Sequence, residues 1–441
     1  MRKVLLFFVS LFMLLFCGCN ADVMDQSLPE SETLWEPIQT ETQSVQNETV
    51  LDFEEQIMEA TFSEIENEFH LIPVANEIMD GFGIFYKDWN CVDILSDDNH
   101  YSKMSISNSE RVYIASDIAF ESIYFEWDAL PGEFILSWDT GEMLCGSEGF
   151  LHDYITLPEE VNQIHITFPD DGYRLLCDIR IFTFGSAPEG IQDWSCPCET
   201  ADILVFPTHS DDETLFFGPL IAWYAIERNM TVQTAFMVNH AGFPERSHER
   251  LDALWELGVR NYPVLGMAPD TDSRDLGECL YFYSGSNILQ WQVEQIRRFQ
   301  PLVVAGHDLD GEYGNGGHKV NAHYLIEAVE YAADQSFDVQ SSELYGIWDT
   351  PKLYLHLYEQ NSWMLDVNLP LTGDPLGRTS FQIAEDAFAF HKSQHRFGFH
   401  VKQNDSQPEY DCRPFGLYRS LVGPDSCADI MDNIRVEEWR S

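Results

Sequence analysis

Hydrophobic and polar residues alternate in short runs through the middle of the chain, over residues 71–192. Turn-forming clusters such as Leu130–Gly132 and Pro169–Gly172 separate these runs. Short alternating segments at this spacing predict an antiparallel β-sandwich of the jelly-roll kind. The segments assigned to strands are Arg111–Ala115, Ser122–Trp127, Glu133–Trp138, Gln163–Phe168 and Arg174–Thr183, the last as the closing strand.

From Ala201 onward, continuous apolar runs alternate with longer amphipathic segments. This rhythm predicts an α/β domain over residues 193–441, with a Rossmann-like, mainly parallel sheet and helices on both faces. Active sites of such folds lie at the carboxyl ends of the strands. The predicted strands are Ile203–Phe206, Val232–Val238 and Leu302–Ala305, and the predicted helices are Thr214–Ile226, Glu249–Leu257 and Lys319–Ala333.

The first residues have the pattern of a secretory signal. Arg2 and Lys3 precede an apolar run, Val4–Phe16, that is shorter than the roughly 20 residues of a membrane span. The end of the run resembles the lipobox of bacterial lipoproteins, because Gly18 precedes Cys19. We therefore expect a signal peptide over residues 1–19, a lipid on Cys19 and export to the extracytoplasmic face of a bacterial cell membrane. An uncleaved anchor and a plain signal are the alternatives.

Charge is distributed unevenly along the chain. The chain has 24 basic and 74 acidic residues, a formal charge of −50, and no Lys or Arg lies between Val4 and Tyr86. Residues 20–70 are rich in Glu, Gln, Thr and Ser, which predicts a solvated acidic tether. The negative surface repels phosphate backbones and anionic headgroups, which excludes a nucleic-acid partner. The lipid anchor is then the only expected membrane contact.

Eight cysteines remain after the predicted leader, and an even number in an exported chain permits disulfides. Cys196-Pro-Cys198 has no second pair at zinc-finger spacing, so we do not predict a structural zinc site there.

Polar residues with catalytic potential follow the first strand of the α/β domain, in the loop His209-Ser210-Asp211-Asp212-Glu213. A loop at a strand end can turn an imidazole and a carboxylate toward one point and leave a second carboxylate beside them. Two ligands and an adjacent base are the minimum for metal-assisted hydrolysis. The alternative is a polar helix start whose carboxylates favour the helix dipole.

A second polar loop, Gly306–His318, follows another predicted strand and ends with a histidine that enters a helix. Two such loops at adjacent strand ends could supply a His-Asp-His site with an open position for water. Nitrogen and carboxylate ligands suit zinc, and iron, cobalt and manganese are the other metals that fit. His323 lies about 140° round the helix from His318, so both cannot face one metal.

Four ordered motifs resemble those of the PIG-L (LmbE-like) deacetylases. Together they span roughly residues 200–400, so the β-rich segment lies outside the resemblance. The first motif, Pro207–Gly218, resembles a His-Pro-Asp-Asp-Glu loop, with Ser210 in place of proline. The second is Arg246-Ser-His-Glu249 with Leu257-Gly-Val259, and the third is Gly311-Glu-Tyr-Gly314 with His318. The fourth, His391-Lys-Ser-Gln394, resembles part of a C-terminal helix of the family.

The resemblance implies a zinc ion held by His209, Asp212 and His318. Asp211 would be the general base that takes a proton from the attacking water. Tyr313 would stabilise the oxyanion.

The resemblance also implies roles around the substrate. Asp270, with Asp272 as a competitor, would lie near the sugar or near a catalytic histidine. Arg246 would contact substrate or pair with a carboxylate, and Glu213 would lie behind the ligands. His307 is expected to hydrogen-bond within its own loop.

One departure from the family pattern affects catalysis. Family members have a histidine three residues before the last ligand, and this chain has Asn315. An amide donates a hydrogen bond but cannot deliver a proton.

The resemblance implies a hydrolase that removes the acetyl group from N-acetylglucosamine-type units of a glycoconjugate or surface polysaccharide. A carbohydrate-binding surface protein with weak or no turnover and an amidase for a non-sugar N-acyl compound are the alternatives. The β-sandwich is expected to act as a spacer or to contact polysaccharide.

Overall fold

The computed structural model describes residues 72–240, 242–284, 287–403, 406–426 and 429–440. The predicted signal peptide, Cys19, the acidic tether and Cys427 lie outside these residues. Residues Ile72–Ser441 form one compact unit that contains two β-sheets. The described chain is therefore a mixed α/β structure.

The N-terminal sheet has eight strands, and all of its strand pairs are antiparallel. They lie in the order β2-β1-β4-β7-β5-β6, and β8 joins β3 to β4. A short helix, α1 (Val92–Leu95), follows β2. The strands are β1 (Phe82–Tyr86), β2 (Trp89–Asn90), β3 (Met104–Ser107), β4 (Val112–Trp127), β5 (Phe134–Trp138), β6 (Gly141–Cys145), β7 (His152–Thr167) and β8 (Tyr173–Phe182).

Two strands of this sheet, β4 and β7, are 16 residues long. The first part of β4 pairs with β1 and β7, and its second part pairs with β7 and β8. The register shifts between Ala115 and Ser122, where the strand changes neighbours. The segments predicted as separate strands at 111–115 and 122–127 are thus one strand. Hydrogen bonds join all eight strands into one branched sheet, and the two-layer sandwich stays a prediction.

The C-terminal sheet has seven strands in the order β11-β10-β9-β12-β13-β15-β14. The first five in this order run parallel, and β15 and β14 are antiparallel additions at one edge. The sheet is therefore mainly parallel. Its strands are β9 (Ile203–Val205), β10 (Val232–Val238), β11 (Val264–Ala268), β12 (Val303–Gly306), β13 (Lys352–His356), β14 (Ser362–Met364) and β15 (Pro414–Ser420).

Helices cover both faces of this sheet. Successive residues of a strand point to opposite faces, so their packing partners show what covers each face. In β9, Ile203 and Val205 join one hydrophobic cluster, whereas Leu204 joins another. The first cluster contains residues of α3 (Gly218–Ala222), α4 (Pro244–Glu256) and α9 (Ser380–Phe388), and the second contains residues of α6 (Ile288–Phe299) and α7 (Gly316–Tyr331). The α-helices of this region are α2 (Asp212–Leu215), α3 (Gly218–Ala222), α4 (Pro244–Glu256), α5 (Leu276–Phe282), α6 (Ile288–Phe299), α7 (Gly316–Tyr331), α8 (Val339–Tyr345), α9 (Ser380–Phe388) and α10 (Val436–Trp439).

The single helix predicted over Thr214–Ile226 is wrong. The segment forms α2, then α3, then a π-helical turn, Trp223–Glu227. Pro219 lies in the first turn of α3, where its missing N–H costs nothing, but it cannot continue α2. Short 3₁₀ turns lie at Glu312–Gly314, His395–Phe397 and Pro408–Tyr410.

The two sheet regions share one hydrophobic cluster, which contains Trp127 of β4 as well as Leu254 of α4. The hydroxyl of Tyr262 accepts a 3.0 Å hydrogen bond from the Leu151 amide, which also links the two regions. The predicted domain boundary at residues 192–193 therefore stays a prediction.

Among the described residues, no helix is both long and apolar enough to cross a bilayer. Seven cysteines of the described chain carry free thiols: Cys91, Cys145, Cys177, Cys196, Cys198, Cys279 and Cys412.

Candidate metal centre

The polar loops lie where the strand order of the parallel sheet reverses. β9 pairs with β10 on one side and with β12 on the other, so the loops after β9 and β12 diverge above their strands. A crevice at such a switch point is the common ligand site of open α/β sheets. His209 follows β9, and His318 lies in the first turn of α7 after β12.

The three predicted ligands, His209, Asp212 and His318, converge there, and all are buried. His209 Nδ1 lies 3.2 Å from His318 Nε2 and 3.3 Å from Asp212 Oδ2. His318 Nε2 lies 3.2 Å from Asp212 Oδ1. Each pair of these three side chains thus approaches to 3.2–3.3 Å, with a different oxygen of Asp212 facing each histidine, and we call the group the ligand triangle.

These distances fit one small cation. Nitrogen and oxygen ligands lie about 2.0–2.2 Å from a tetrahedral zinc ion, which puts neighbouring donor atoms about 3.3–3.5 Å apart. The electrostatics agree, because carboxylates lie on both sides of His209. Burial lowers the pKa of its imidazole, but Asp212 and Asp270 outweigh burial and raise it to about 9. The site therefore stabilises positive charge.

Hydrogen bonds from outside the triangle hold His318 and Asp212 in place. His318 presents Nδ1 to Glu312 Oε2 at 2.7 Å, which leaves Nε2 free to face Asp212. Asp212 Oδ2 accepts the amides of Thr208 and His209. A ligand histidine bound through its other nitrogen to a carboxylate is typical of metal sites.

Glu312 accepts from three histidines, although the sequence assigned it no role. Its oxygens lie 2.8 Å from His307 Nδ1, 2.7 Å from His318 Nδ1 and 2.7 Å from His356 Nδ1. Burial opposes ionisation, but these rings hold the pKa of Glu312 well below its usual range. His307 thus hydrogen-bonds within its loop. The position of Glu312 inside the third motif could have revealed its role from the sequence. No sequence feature marked His356 on β13.

Asp211 lies beside the ligands in a strained backbone conformation, with φ 133°. Its amide donates to Glu213 Oε2 at 2.8 Å, and its carbonyl accepts from Thr214 Oγ1 at 2.7 Å. Burial raises the pKa of the Asp211 carboxyl to about 6, although Arg246 lowers it. The loop therefore holds a carboxylate with a nearly neutral pKa next to the ligand triangle.

Besides the contacts of His318 with the first motif, side-chain contacts join the first, second and fourth motifs to one another. Arg246 Nη2 lies 3.0 Å from Asp211 Oδ1 and also donates to the Ser210 carbonyl, so this arginine pairs with a carboxylate. His391 Nε2 lies 2.5 Å from Glu213 Oε1. The Ser393 amide and hydroxyl both donate to Glu249 at 2.7 Å.

The fourth motif was expected on a helix, and that expectation is wrong. Residues 391–394 form a turn after α9. The turn lets one segment reach both Glu213 and Glu249, which lie on different helices.

Asn315 has a structural role that the sequence did not reveal. Its Oδ1 accepts the His318 amide at 3.1 Å, so Asn315 is the N-cap of the helix that carries a predicted ligand. Its Nδ2 lies 3.4 Å from the hydroxyl of Tyr313. Tyr313, at φ 45°, stacks on Tyr410 with ring centroids 5.4 Å apart.

A cavity of about 280 Å³ opens beside the triangle. It brings together the predicted base, both predicted substrate residues, Tyr313 and Asn315. Its lining residues are His209, Asp211, Arg246, Asp270, Thr271, Asp272, Arg274, Tyr313, Asn315, Gln394, Phe397 and Phe399.

Asp270 contacts two histidines at one wall of this cavity. Its carboxylate oxygens lie 3.4 Å from His209 Nε2 and 3.5 Å from His240 Nε2. Asp270 therefore orients a candidate ligand, while Asp272 lines the same cavity. His240, which follows β10, was missed by the sequence analysis because no motif surrounds it. Burial lowers the pKa of its imidazole to about 4.

No family model matches the chain. The chain is 25% identical over 199 residues to 1D-myo-inositol 2-acetamido-2-deoxy-α-D-glucopyranoside deacetylase 1 from Catenulispora acidiphila. The match covers 39% of this chain and 60% of that relative, so less than two thirds of the relative's length is spanned. The similarity supports the resemblance to PIG-L deacetylases.

Two solved structures are similar to part of the chain, both with a TM-score of 0.35. One is N,N′-diacetylchitobiose deacetylase from Pyrococcus horikoshii, 18% identical, with 46% of this chain and 74% of that chain covered. The other is a conserved protein from Thermus thermophilus, 15% identical, with 52% of this chain and 100% of that chain covered. Similarity at this level carries no conclusion about activity.

Proposed function

We propose that the protein is a zinc-dependent N-deacetylase that removes the acetyl group from N-acetylglucosamine-type units of a glycoconjugate or surface polysaccharide. One observation carries the proposal: a buried His-Asp-His triangle of metal-ligand dimensions borders a cavity, with a second carboxylate beside it. This is the arrangement that metal-assisted amide hydrolysis requires.

His209, Asp212 and His318 would hold the metal. A zinc ion bound there would activate a water molecule and polarise the amide carbonyl. The remaining chemistry belongs to residues of the chain. Asp211 lines the cavity, and its pKa of about 6 lets it accept a proton at neutral pH.

The leaving amine needs a proton, and Asn315 cannot supply one. Two other histidines of the motif loops, His307 and His391, are buried, and each has a nitrogen hydrogen-bonded to a glutamate behind the cavity. Asp211 lines the cavity and, once it has taken the proton of the attacking water, can return it to the leaving amine. A single carboxylate would therefore act first as base and then as acid, with the Tyr313 hydroxyl and the Asn315 amide as donors to the oxyanion.

The size and chemistry of the cavity suit one sugar unit. Its volume of about 280 Å³ lies near the lower end of ligand pockets, roughly 300–1,000 Å³. Carboxylates and arginines can hydrogen-bond hydroxyls, and Phe397 and Phe399 supply an apolar wall. The choice of an N-acetylated glucosamine rests on the substrate in the name of the C. acidiphila relative.

A carbohydrate-binding protein with little turnover is the second candidate, because Asn315 replaces the proton-donating histidine. An amidase for a non-sugar N-acyl compound is the third. Acetate release from N-acetylglucosamine oligomers by purified, zinc-loaded protein separates them. Release supports the deacetylase. Sugar binding without release supports the binding protein, and release only from non-sugar N-acyl compounds supports the amidase.

We also propose that the protein is exported and anchored through a lipid on Cys19, on the basis of the Arg2-Lys3 start and Gly18. Mass spectrometry of the mature N-terminus would detect the acyl mass. A product without it, or one that begins at another residue, would exclude the anchor.

The proposal includes a polysaccharide contact by the N-terminal sheet region. Expression of residues 71–192 alone tests whether this region folds by itself, and a soluble product can be assayed for polysaccharide binding. An unfolded product would show that the region needs the shared hydrophobic cluster.

A further inference from the structure

A second cluster of histidines and carboxylates lies between the N-terminal sheet and α4. His100 Nδ1 is 3.3 Å from Glu126 Oε2 on β4. The His100 ring stacks on His248 of α4, with centroids 4.6 Å apart and an interplanar angle of 2°. Because an imidazole binds a metal in its ring plane, one of these parallel rings must turn before both can bind the same ion. His100, Glu126 and His248 offer donor atoms that lie within 4.8 Å of one another. The cluster is separate from the His209 triangle.

A chain of hydrogen bonds sets the protonation of this cluster. Trp194 Nε1, which can only donate, lies 2.8 Å from Gln192 Oε1, so that oxygen is an acceptor. His152 Nδ1, 2.8 Å from the same oxygen, must therefore carry a proton. In a neutral imidazole, His152 Nε2 is then unprotonated and accepts from His248 Nδ1 at 2.7 Å.

The consequence falls on the other nitrogen of His248. With its proton on Nδ1, neutral His248 has a bare lone pair on Nε2. His248 is 1% exposed, and its Nε2 has no hydrogen-bond partner among the described residues. A buried polar atom left unsatisfied costs about 1–3 kcal/mol. A buried lone pair, on a ring oriented through its other nitrogen, is what a metal-ligand histidine presents.

We propose that His100, Glu126 and His248 bind a second divalent metal ion, of which zinc fits best. Two imidazoles and one carboxylate form a frequent zinc ligand set. Asp128 and Cys177 form a separate set of potential ligands with His248, but Asp128 Oδ1 already lies 2.7 Å from Lys103 Nζ. Zinc accepts nitrogen, oxygen and sulfur ligands, whereas magnesium and calcium prefer oxygen.

The ion joins parts of the chain that are distant in sequence. His100 lies in a loop before β3, Glu126 on β4 and His248 on α4, the helix that also presents Arg246 to Asp211 and Glu249 to Ser393. The second ion thus fixes α4 to the N-terminal sheet.

Metal analysis of the purified full chain tests this inference. We expect two ions per chain in the wild type and one in His100→Ala and in Glu126→Gln. His165→Ala is the matched control, because His165 lies on β7 beside Tyr113 and outside the cluster. It should keep two ions. Calorimetric titration of metal-free wild type with zinc needs no variant and should end at two ions.

A His318→Ala background separates this site from the candidate active site. That variant should retain one ion, and adding His100→Ala should remove it. The inference is overturned if the wild type binds a single ion that His318→Ala abolishes, or if His100→Ala and Glu126→Gln both keep two ions. Absence of deacetylation would leave these counts unchanged.

Discussion

The two histidine-carboxylate clusters use similar ligands in different settings. His209, Asp212 and His318 lie at strand ends, beside a cavity lined by Asp211 and Tyr313. His100, Glu126 and His248 lie between a sheet and a helix and join distant segments. In both, a buried imidazole is oriented through its second nitrogen, by Glu312 or by His152. Candidate ligands alone therefore do not distinguish the two clusters, whereas the adjacent Asp211 carboxylate and the cavity occur only beside the first.

Removing a ligand from the first cluster gives the largest expected effect. His318→Ala should lose one ion and all measurable deacetylation, because two ligands hold zinc poorly. Metal analysis and acetate release measure both quantities. His323→Ala, five residues further along α7, is the control and should change neither. An unchanged ion count in His318→Ala would remove this residue from the site.

Replacing the base sharpens the contrast without removing the metal. Asp211→Asn should keep the ion and lower kcat about 10²–10⁴-fold, because the amide cannot accept a proton. Metal content and kcat are measured on the same preparation. Near-normal turnover would mean that another group is the base.

Glu312, which orients His318, and His152, which orients His248, form a matched pair for mutation. Glu312→Gln and His152→Leu should each weaken zinc binding about 10–100-fold at their own cluster and leave the other cluster unchanged. Two-site zinc titration of each variant resolves the affinities. A loss at both clusters in either variant would show that the two sites are coupled.

The smallest effect concerns the cap of α7. Asn315→Ala should lower the free energy of unfolding by about 1 kcal/mol, whereas Asn315→Asp keeps the capping oxygen and should be nearly neutral. Urea unfolding of both variants measures the difference. Equal stability of all three proteins would show that the His318 amide does not need this cap. Both variants also remove the Nδ2 donor, so a shared fall in kcat would identify its contribution to catalysis.

Local patterns in the sequence predicted much of the α/β region. The predicted strand Val232–Val238 matches β10, and the helix predicted to end at Leu257 corresponds to α4, which ends at Glu256. The convergence of His209, Asp212 and His318 was also predictable, because all three lie in or just after the loops that follow β9 and β12. Carboxyl ends of neighbouring parallel strands meet at one edge, so sequence-local motifs become spatial neighbours there.

Other features depended on contacts between distant segments. His152 and His248 are 96 residues apart, and no local pattern pairs them. The strand β4 is continuous although its pairing partners change along its length, and the hydropathy pattern carries no information about pairing partners.

The sequence by itself determined which side chains are candidates for the chemistry and which strand ends present them, since periodicity and strand-end motifs are local. Tertiary structure alone decided how those side chains are charged and oriented. The double role of Asn315, the three histidines on Glu312 and the bare nitrogen of His248 all arise from hydrogen bonds closed by folding. Burial makes each such bond count, because an unpaired polar atom in the interior has no water to replace its partner.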